Sequence, residues 1–294
     1  MHLLEDLLAG GPVVADGAWG TELQARGLEP GESPDLWNLT HPGEVREVAR
    51  AYVAAGSRVI LTNTFRANGI ALAGHDLADR AAEINRAGVE ISRQAAAGRA
   101  LVFASMGPSG KMLAAGDVTP EELGGAFTAQ AAALVAAGAD ALLLETFADL
   151  EEARIALAAA REAAPCPVLV SLVFDFGRAH DRTMTGATPE QAARELTAAG
   201  ACAVGANCGR GPGAYVEICR RLAAASPLPV WIKPNAGLPE LVDGRPVYRT
   251  TPEEFASYGP ALVAAGARFL GGCCGTTPAF IRALRERIST CASN

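Results

Sequence analysis

The sequence has no apolar run approaching the roughly 18 residues a membrane helix needs, and no basic excess. Lys+Arg number 25 against Asp+Glu 32, a net charge of −7, which argues against nucleic acid or an anionic membrane as partner. Met1-His2-Leu3-Leu4-Glu5-Asp6 has no basic n-region and its short apolar stretch is broken by two acids. It is no signal peptide, and the cytoplasm is the expected location. No Gly-x-Gly-x-x-Gly follows the first apolar segment, which counts against an open dinucleotide-binding sheet. His2, His41, His75 and His180 form no triad spacing with a Ser or Cys, so a hydrolase is disfavoured. Cys-x-x-Cys is missing too. The seven cysteines are an odd number in a chain expected to stay reduced, a poor disulfide framework.

What is present is ordinary for a soluble protein: 294 residues, half of them apolar, enough for one large core or two small ones. A recurring unit decides between these. Ala-Ala-Gly closes amphipathic stretches at Gly56, Gly138, Gly200 and Gly266, and glycine suits the left-handed position after a helix. Each Gly leads into a short β-rich segment: Arg58–Leu61, Ala141–Leu144, Ala203–Ala206 and Phe269–Gly272. At one common offset beyond the glycines stand Asn63, Glu145, Asn207 and Cys273, followed by Thr64, Thr146, Cys208 and Cys274. Thr119-Pro120, Thr188-Pro189, Thr251-Pro252 and Thr277-Pro278 supply helix starts, with Thr as N-cap and Pro at the first helical position. Pro12–Ala15, Ala100–Phe103, Val168–Val173 and Val230–Ile232 complete eight apolar strands alternating with helices. Continuous apolar strands belong to parallel sheets covered on both faces. The expectation is one (β/α)8 TIM barrel spanning residues 1–294, its site at the C-terminal ends of the strands.

Those ends gather Asp16-Gly17, Glu145-Thr146, Asn207-Cys208, Pro234-Asn235 and Gly272-Cys273-Cys274. Three thiolates with one open position suit Zn2+. Adjacent Cys273-Cys274 equally fits a vicinal disulfide or redox sensor, and buried cysteine is often a small hydrophobe. Cys166, Cys202, Cys219 and Cys291 read as inert. Glu145 and Asp16, with Asn235, can hold an ammonium group at the rim of the core, or cap loop amides. Gly17, Gly20 and Thr21 can offer backbone N–H groups to a carboxylate. Lys233 on a late strand suggests a Schiff-base lyase, but its neighbour Pro234 and the lack of a phosphate loop favour a structural role.

These motifs resemble the homocysteine S-methyltransferase family, through Asn207-Cys208 and Gly271-Gly272-Cys273-Cys274-Gly275-Thr276-Thr277-Pro278. With Asn38-Leu39-Thr40, Thr62-Asn63-Thr64-Phe65, Glu145-Thr146 and Pro234-Asn235-Ala236-Gly237 the chain is most similar to the homocysteine-binding barrel of cobalamin-dependent methionine synthase. The resemblance implies zinc held by Cys208, Cys273 and Cys274, with Asn235 beside the metal. It also implies homocysteine gripped by Asp16, Glu145 and the Gly17–Thr21 backbone, and methionine as product. Trp19 is bulky for its place and is expected to shape the donor side. The 294 residues contain no Asp-x-His-x-x-Gly corrinoid motif. The expected donor is therefore a small molecule (S-methylmethionine, S-adenosylmethionine or betaine) or a corrinoid on a separate protein. A different thiol acceptor, or a non-catalytic zinc or redox-sensing barrel, are the alternatives.

Overall fold

Eight parallel strands wind into a nearly closed barrel with helices returning along the outside, in a computed structural model that describes residues 2–242 and 245–291. The strands are β1 (Val13–Val14), β2 (Val59–Leu61), β3 (Leu101–Met106), β4 (Ala141–Phe147), β5 (Val168–Leu172), β6 (Ala203–Cys208) and β7 (Val230–Pro234). They are followed by β8 (Glu240–Val242), β9 (Arg245–Val247) and β10 (Ala267–Leu270). Around the barrel the order is β1-β10-β7-β6-β5-β4-β3-β2, while β8 and β9 form a separate antiparallel hairpin. The expected (β/α)8 barrel is the observed one. Among the described residues no helix is long and apolar enough to cross a membrane.

The local signals act as their chemistry requires. Thr119, Thr188 and Thr251 each accept a backbone N–H from the third helical residue, and Thr119 with Glu122 completes a reciprocal capping box. Gly56 ends the helix Pro42–Ala55 at φ 101°, a conformation that costs a residue with a Cβ. Inside the barrel Phe103, Trp231 and Phe269 pack with aliphatic strand residues and with Leu4, Leu7 and Leu8 of the helix His2–Leu8. That apolar layer fills one end of the lumen and leaves the polar chemistry to the other.

Two features differ from the sequence expectation. The last barrel strand ends at Leu270, so Gly271 and Gly272 belong to the following loop, although their N–H groups still bond Ile232 O and Asp16 O, each at 3.0 Å. The hairpin β8–β9 was not expected, because it lies outside the repeating unit.

The barrel closes between β1 and β2 with help from a side chain. Arg58 N donates to Val14 O at 2.8 Å. One step on, the Asp16 carboxylate takes the place of a backbone acceptor and receives Leu61 N at 2.7 Å.

Candidate active site

Cys208 ends β6, and Cys273 and Cys274 stand in the loop after β10. Their three sulfurs all lie within 4.8 Å of one another. Cys273 Sγ and Cys274 Sγ are 4.0 Å apart, far beyond a disulfide bond of about 2.05 Å. A tetrahedral ion with Zn–S near 2.3 Å would set its sulfurs about 3.8 Å apart. The geometry fits a metal.

The backbone holds the cluster firmly. Cys273 N donates to Pro234 O at 2.8 Å, Ala236 N to Cys274 O at 2.9 Å and Asn235 N to Cys208 O at 3.1 Å. Cys208 and Thr146 both take left-handed backbone conformations, φ 70° and 64°, a strain typical of functional strand ends. Asn207 ties these two ends together. It accepts Thr146 N (2.9 Å) and Ser171 Oγ (2.7 Å) on its Oδ1, and donates from Nδ2 to Thr146 Oγ1 (2.6 Å).

Hydrogen bonds from Cys273 and Cys274 hold the Cys208 thiol down to about 3. The contact with Cys208 pushes Cys273 up and, with burial, Cys274 up to about 11, against a lowering hydrogen bond from Cys273 to Cys274. A cation placed among the three sulfurs would favour loss of their remaining protons. Asn235 Nδ2 donates to Gly209 O at 2.7 Å and points to Cys208 Sγ at 3.6 Å. Among the described residues its Oδ1 is buried without a hydrogen-bond partner.

Glu145 lies on β4 with Ser105 Oγ donating to it at 2.5 Å. Burial raises its pKa, against the opposing pull of Lys233 and Ser105. Asp16 and Lys233 form a buried ion pair of 2.5 Å, with 0% and 2% of their side chains exposed. The other Asp16 oxygen accepts Trp19 Nε1 at 2.8 Å as well as Leu61 N. Burial works against the Lys233 ammonium, but Asp16 and Glu145 together outweigh it and raise its pKa.

A cavity of about 270 Å³ is lined by Gly17, Gly20, Glu145, Cys208, Cys273 and Cys274, bringing six expected residues together. Asp16, Thr21 and Asn235 are not on its surface. Asp16 is fully buried beside it, and Thr21 Oγ1 accepts Gly275 N at 3.2 Å. Gly17 is required by packing, since a Cβ there would lie 2.7 Å from the Tyr52 hydroxyl. Trp19 and Lys233 also line the cavity, as do Asn63 and Phe65 of the strand-end motif Thr62–Phe65, and Asp35 and Arg66, which the sequence did not place there. Asp35 lies far along the segment after β1, outside the strand-end register, so no spacing could have flagged it. The remaining described cysteines do not line the cavity. Burial pushes Cys219 up to about 12, an inert thiol; the Cys291 side chain lies outside the described residues.

The family profile "Homocysteine S-methyltransferase" matches residues 13–288. Methionine synthase of Mycobacterium tuberculosis is 33% identical over 309 aligned positions, covering 97% of this chain and 25% of that protein. The chain thus spans about a quarter of that relative's length. Among solved structures, the metallated form of the Escherichia coli homocysteine methyltransferase MmuM superposes with a TM-score of 0.81 at 28% identity, covering 97% of this chain and 99% of that one. The oxidized form of MmuM gives 0.76, also at 28% identity, covering 96% and 99%. The cysteine cluster and barrel described above therefore sit in a chain that belongs to the homocysteine S-methyltransferase family.

Proposed function

We propose that this methyltransferase moves a methyl group onto the thiol of homocysteine, giving methionine, with Zn2+ held by Cys208, Cys273 and Cys274. The observation that carries the reading is the three-sulfur cluster opening into the same cavity as the buried carboxylate of Glu145. When bound, zinc would supply the Lewis acidity that lowers the substrate thiol below its free pKa of about 8.5.

The protein's own residues do the positioning. Glu145 faces the cavity and receives the substrate ammonium. Gly17 and the first turn of the helix Gly20–Gln24 present backbone N–H groups, which have no partners within a helix's first turn, to the substrate carboxylate. Thr21 fixes the start of that helix against Gly275 behind the cysteines. Asn235 stands beside Cys208, its Oδ1 without a hydrogen-bond partner among the described residues. Asp16 contributes from behind the cavity surface, by clamping Lys233 and the Trp19 indole. The donor is a small molecule or a methyl-corrinoid protein.

The test is a donor panel with homocysteine, run on protein whose metal content is measured. Wild type should carry about one zinc per chain and form methionine with one of the donors. Cys273→Ala should lose both the metal and the turnover. Methionine formation by zinc-free protein overturns the metal assignment. Failure of homocysteine with every donor, or methylation of another thiol in its place, overturns the acceptor.

A further inference from the structure

We propose that Asn207 is a positioning residue for Glu145: its side chain reaches across β5 and fixes the backbone that aims the carboxylate into the cavity. This rests on the reading above, in which Glu145 receives the ammonium of homocysteine.

The need for such a clamp starts in the strand pairing. β4 advances from Leu144 to Phe147 while β5 advances only from Val170 to Leu172. Glu145 and Thr146 therefore stand opposite Ser171 alone, a bulge of the kind that re-aims a side chain and interrupts the ladder. Thr146 takes the left-handed conformation there, φ 64°. A β-branched residue is an outlier in that region, because its Cβ and the backbone crowd each other. Such a conformation persists only where its surroundings over-determine it.

Asn207 supplies that determination. Leu143, Leu169 and Ala203 pack in the lumen, and two residues further along their strands Glu145, Ser171 and Asn207 continue the same face. Asn207 has no exposed surface. Its Oδ1 receives Thr146 N, an N–H inside the bulge, at 2.9 Å, and Ser171 Oγ at 2.7 Å. Its Nδ2 donates to Thr146 Oγ1 at 2.6 Å. Thr146 N belongs to the peptide that follows Glu145. Holding that peptide fixes ψ of Glu145, and with it the direction of the carboxylate that Ser105 Oγ meets from the other side.

Cys208 does not need the same side chain. Its strand end is pinned independently: Tyr215 Oη donates to Asn207 O at 2.8 Å, and Asn235 N to Cys208 O at 3.1 Å. Removing the Asn207 side chain therefore loosens Glu145 and leaves the thiol in place. The substrate ammonium is not a reacting group, so its contact is equally strong in the ground and transition states. Weakening that contact raises KM and spares kcat.

The experiment follows homocysteine kinetics of the zinc-loaded protein with a donor that it accepts. Beside it runs a calorimetric titration with norvaline, which keeps the amino and carboxylate ends of homocysteine but has no thiol. Asn207→Ala should raise the homocysteine KM about tenfold, hold kcat within about twofold and keep about one zinc per chain. Ser171→Ala, a milder change on the neighbouring strand, should raise KM about threefold. Norvaline should bind Asn207→Ala about tenfold more weakly than wild type, with no turnover involved. In a Glu145→Ala background, Asn207→Ala should change KM and norvaline affinity by less than about twofold, because the group it positions has gone. Thr146→Gly should restore most of the KM lost in Asn207→Ala, since glycine holds a positive φ without a clamp. Full additivity of Asn207→Ala with Glu145→Ala overturns the proposal, as does loss of zinc with norvaline affinity unchanged. A Glu145→Ala protein with the homocysteine KM of wild type would instead defeat the ammonium reading on which it rests.

Discussion

Asp16 beside the cavity and Asp35 in its wall are both buried carboxylates, satisfied in opposite ways. Asp16 has a full cation at 2.5 Å and two N–H donors, with no exposed surface left. Asp35 has the Arg66 backbone N–H and a guanidinium that leaves its carboxyl at about 6. A fully matched charge is part of the framework: it closes the barrel between β1 and β2 and anchors Lys233 and Trp19. A half-matched charge beside a cavity is held at a cost, which the carboxyl relieves by taking up a proton more readily. The difference separates two chemically identical aspartates: one is matched within the framework and the other lies in the cavity wall with its charge incompletely balanced.

The comparison breaks most severely if Asp16 is made to resemble Asp35. Lys233→Met strands the Asp16 carboxylate without its cation and should cost about 3–5 kcal/mol of stability by denaturant unfolding. Combining it with Asp16→Asn should recover part of that loss, because no buried charge is then left alone. A Lys233→Met protein as stable as wild type would show that the pair is not what holds this seam.

The next test removes the mismatch at Asp35. Its folded pKa of about 6 lies above the unfolded value of 3.8. The group's stabilising contribution is complete below pH 3.8 and is lost as pH rises through about 6. Asp35→Asn should therefore be more stable than wild type at pH 8, by on the order of 2–3 kcal/mol, with the difference closing by pH 4. Thermal unfolding across that range checks it, and a constant difference would rule out the charge as its origin.

The smallest effect belongs to Trp19→Phe. It removes one donor from Asp16 while Lys233 and Leu61 N remain, and should cost about 2 kcal/mol in chemical denaturation without changing the zinc content. A loss as large as that of Lys233→Met would mean that the indole, not the ammonium, dominates the clamp.

Much of the sulfur side was legible because it obeys a register. Cys273 and Glu145 lie at one offset after an Ala-Ala-Gly helix stop and Cys208 and Cys274 at the next, and parallel strands of a barrel end at one face. The resemblance to the family rests on those same residues. Arg66 was harder: the strand-end motif Thr62–Phe65 was visible at the same mouth as Cys208, but nothing in it said that the next residue's guanidinium reaches the cavity. Asp35 carried no signal, since it follows no strand end. Asp16 was visible as a strand-end acid, yet its engagement was not, because its partner lies 217 positions away on β7.

By itself, then, the amino-acid order determined the eight-strand alternation, the helix stops and starts, and the face on which three thiols and Glu145 collect. Those are consequences of periodicity and local backbone preference, which act over a few residues. Only the tertiary structure decided which acid is matched and which is left wanting. Compensation of a buried charge depends on distance in space, and the barrel brings Lys233 to Asp16 while giving Asp35 a backbone N–H and an incomplete balance of charge.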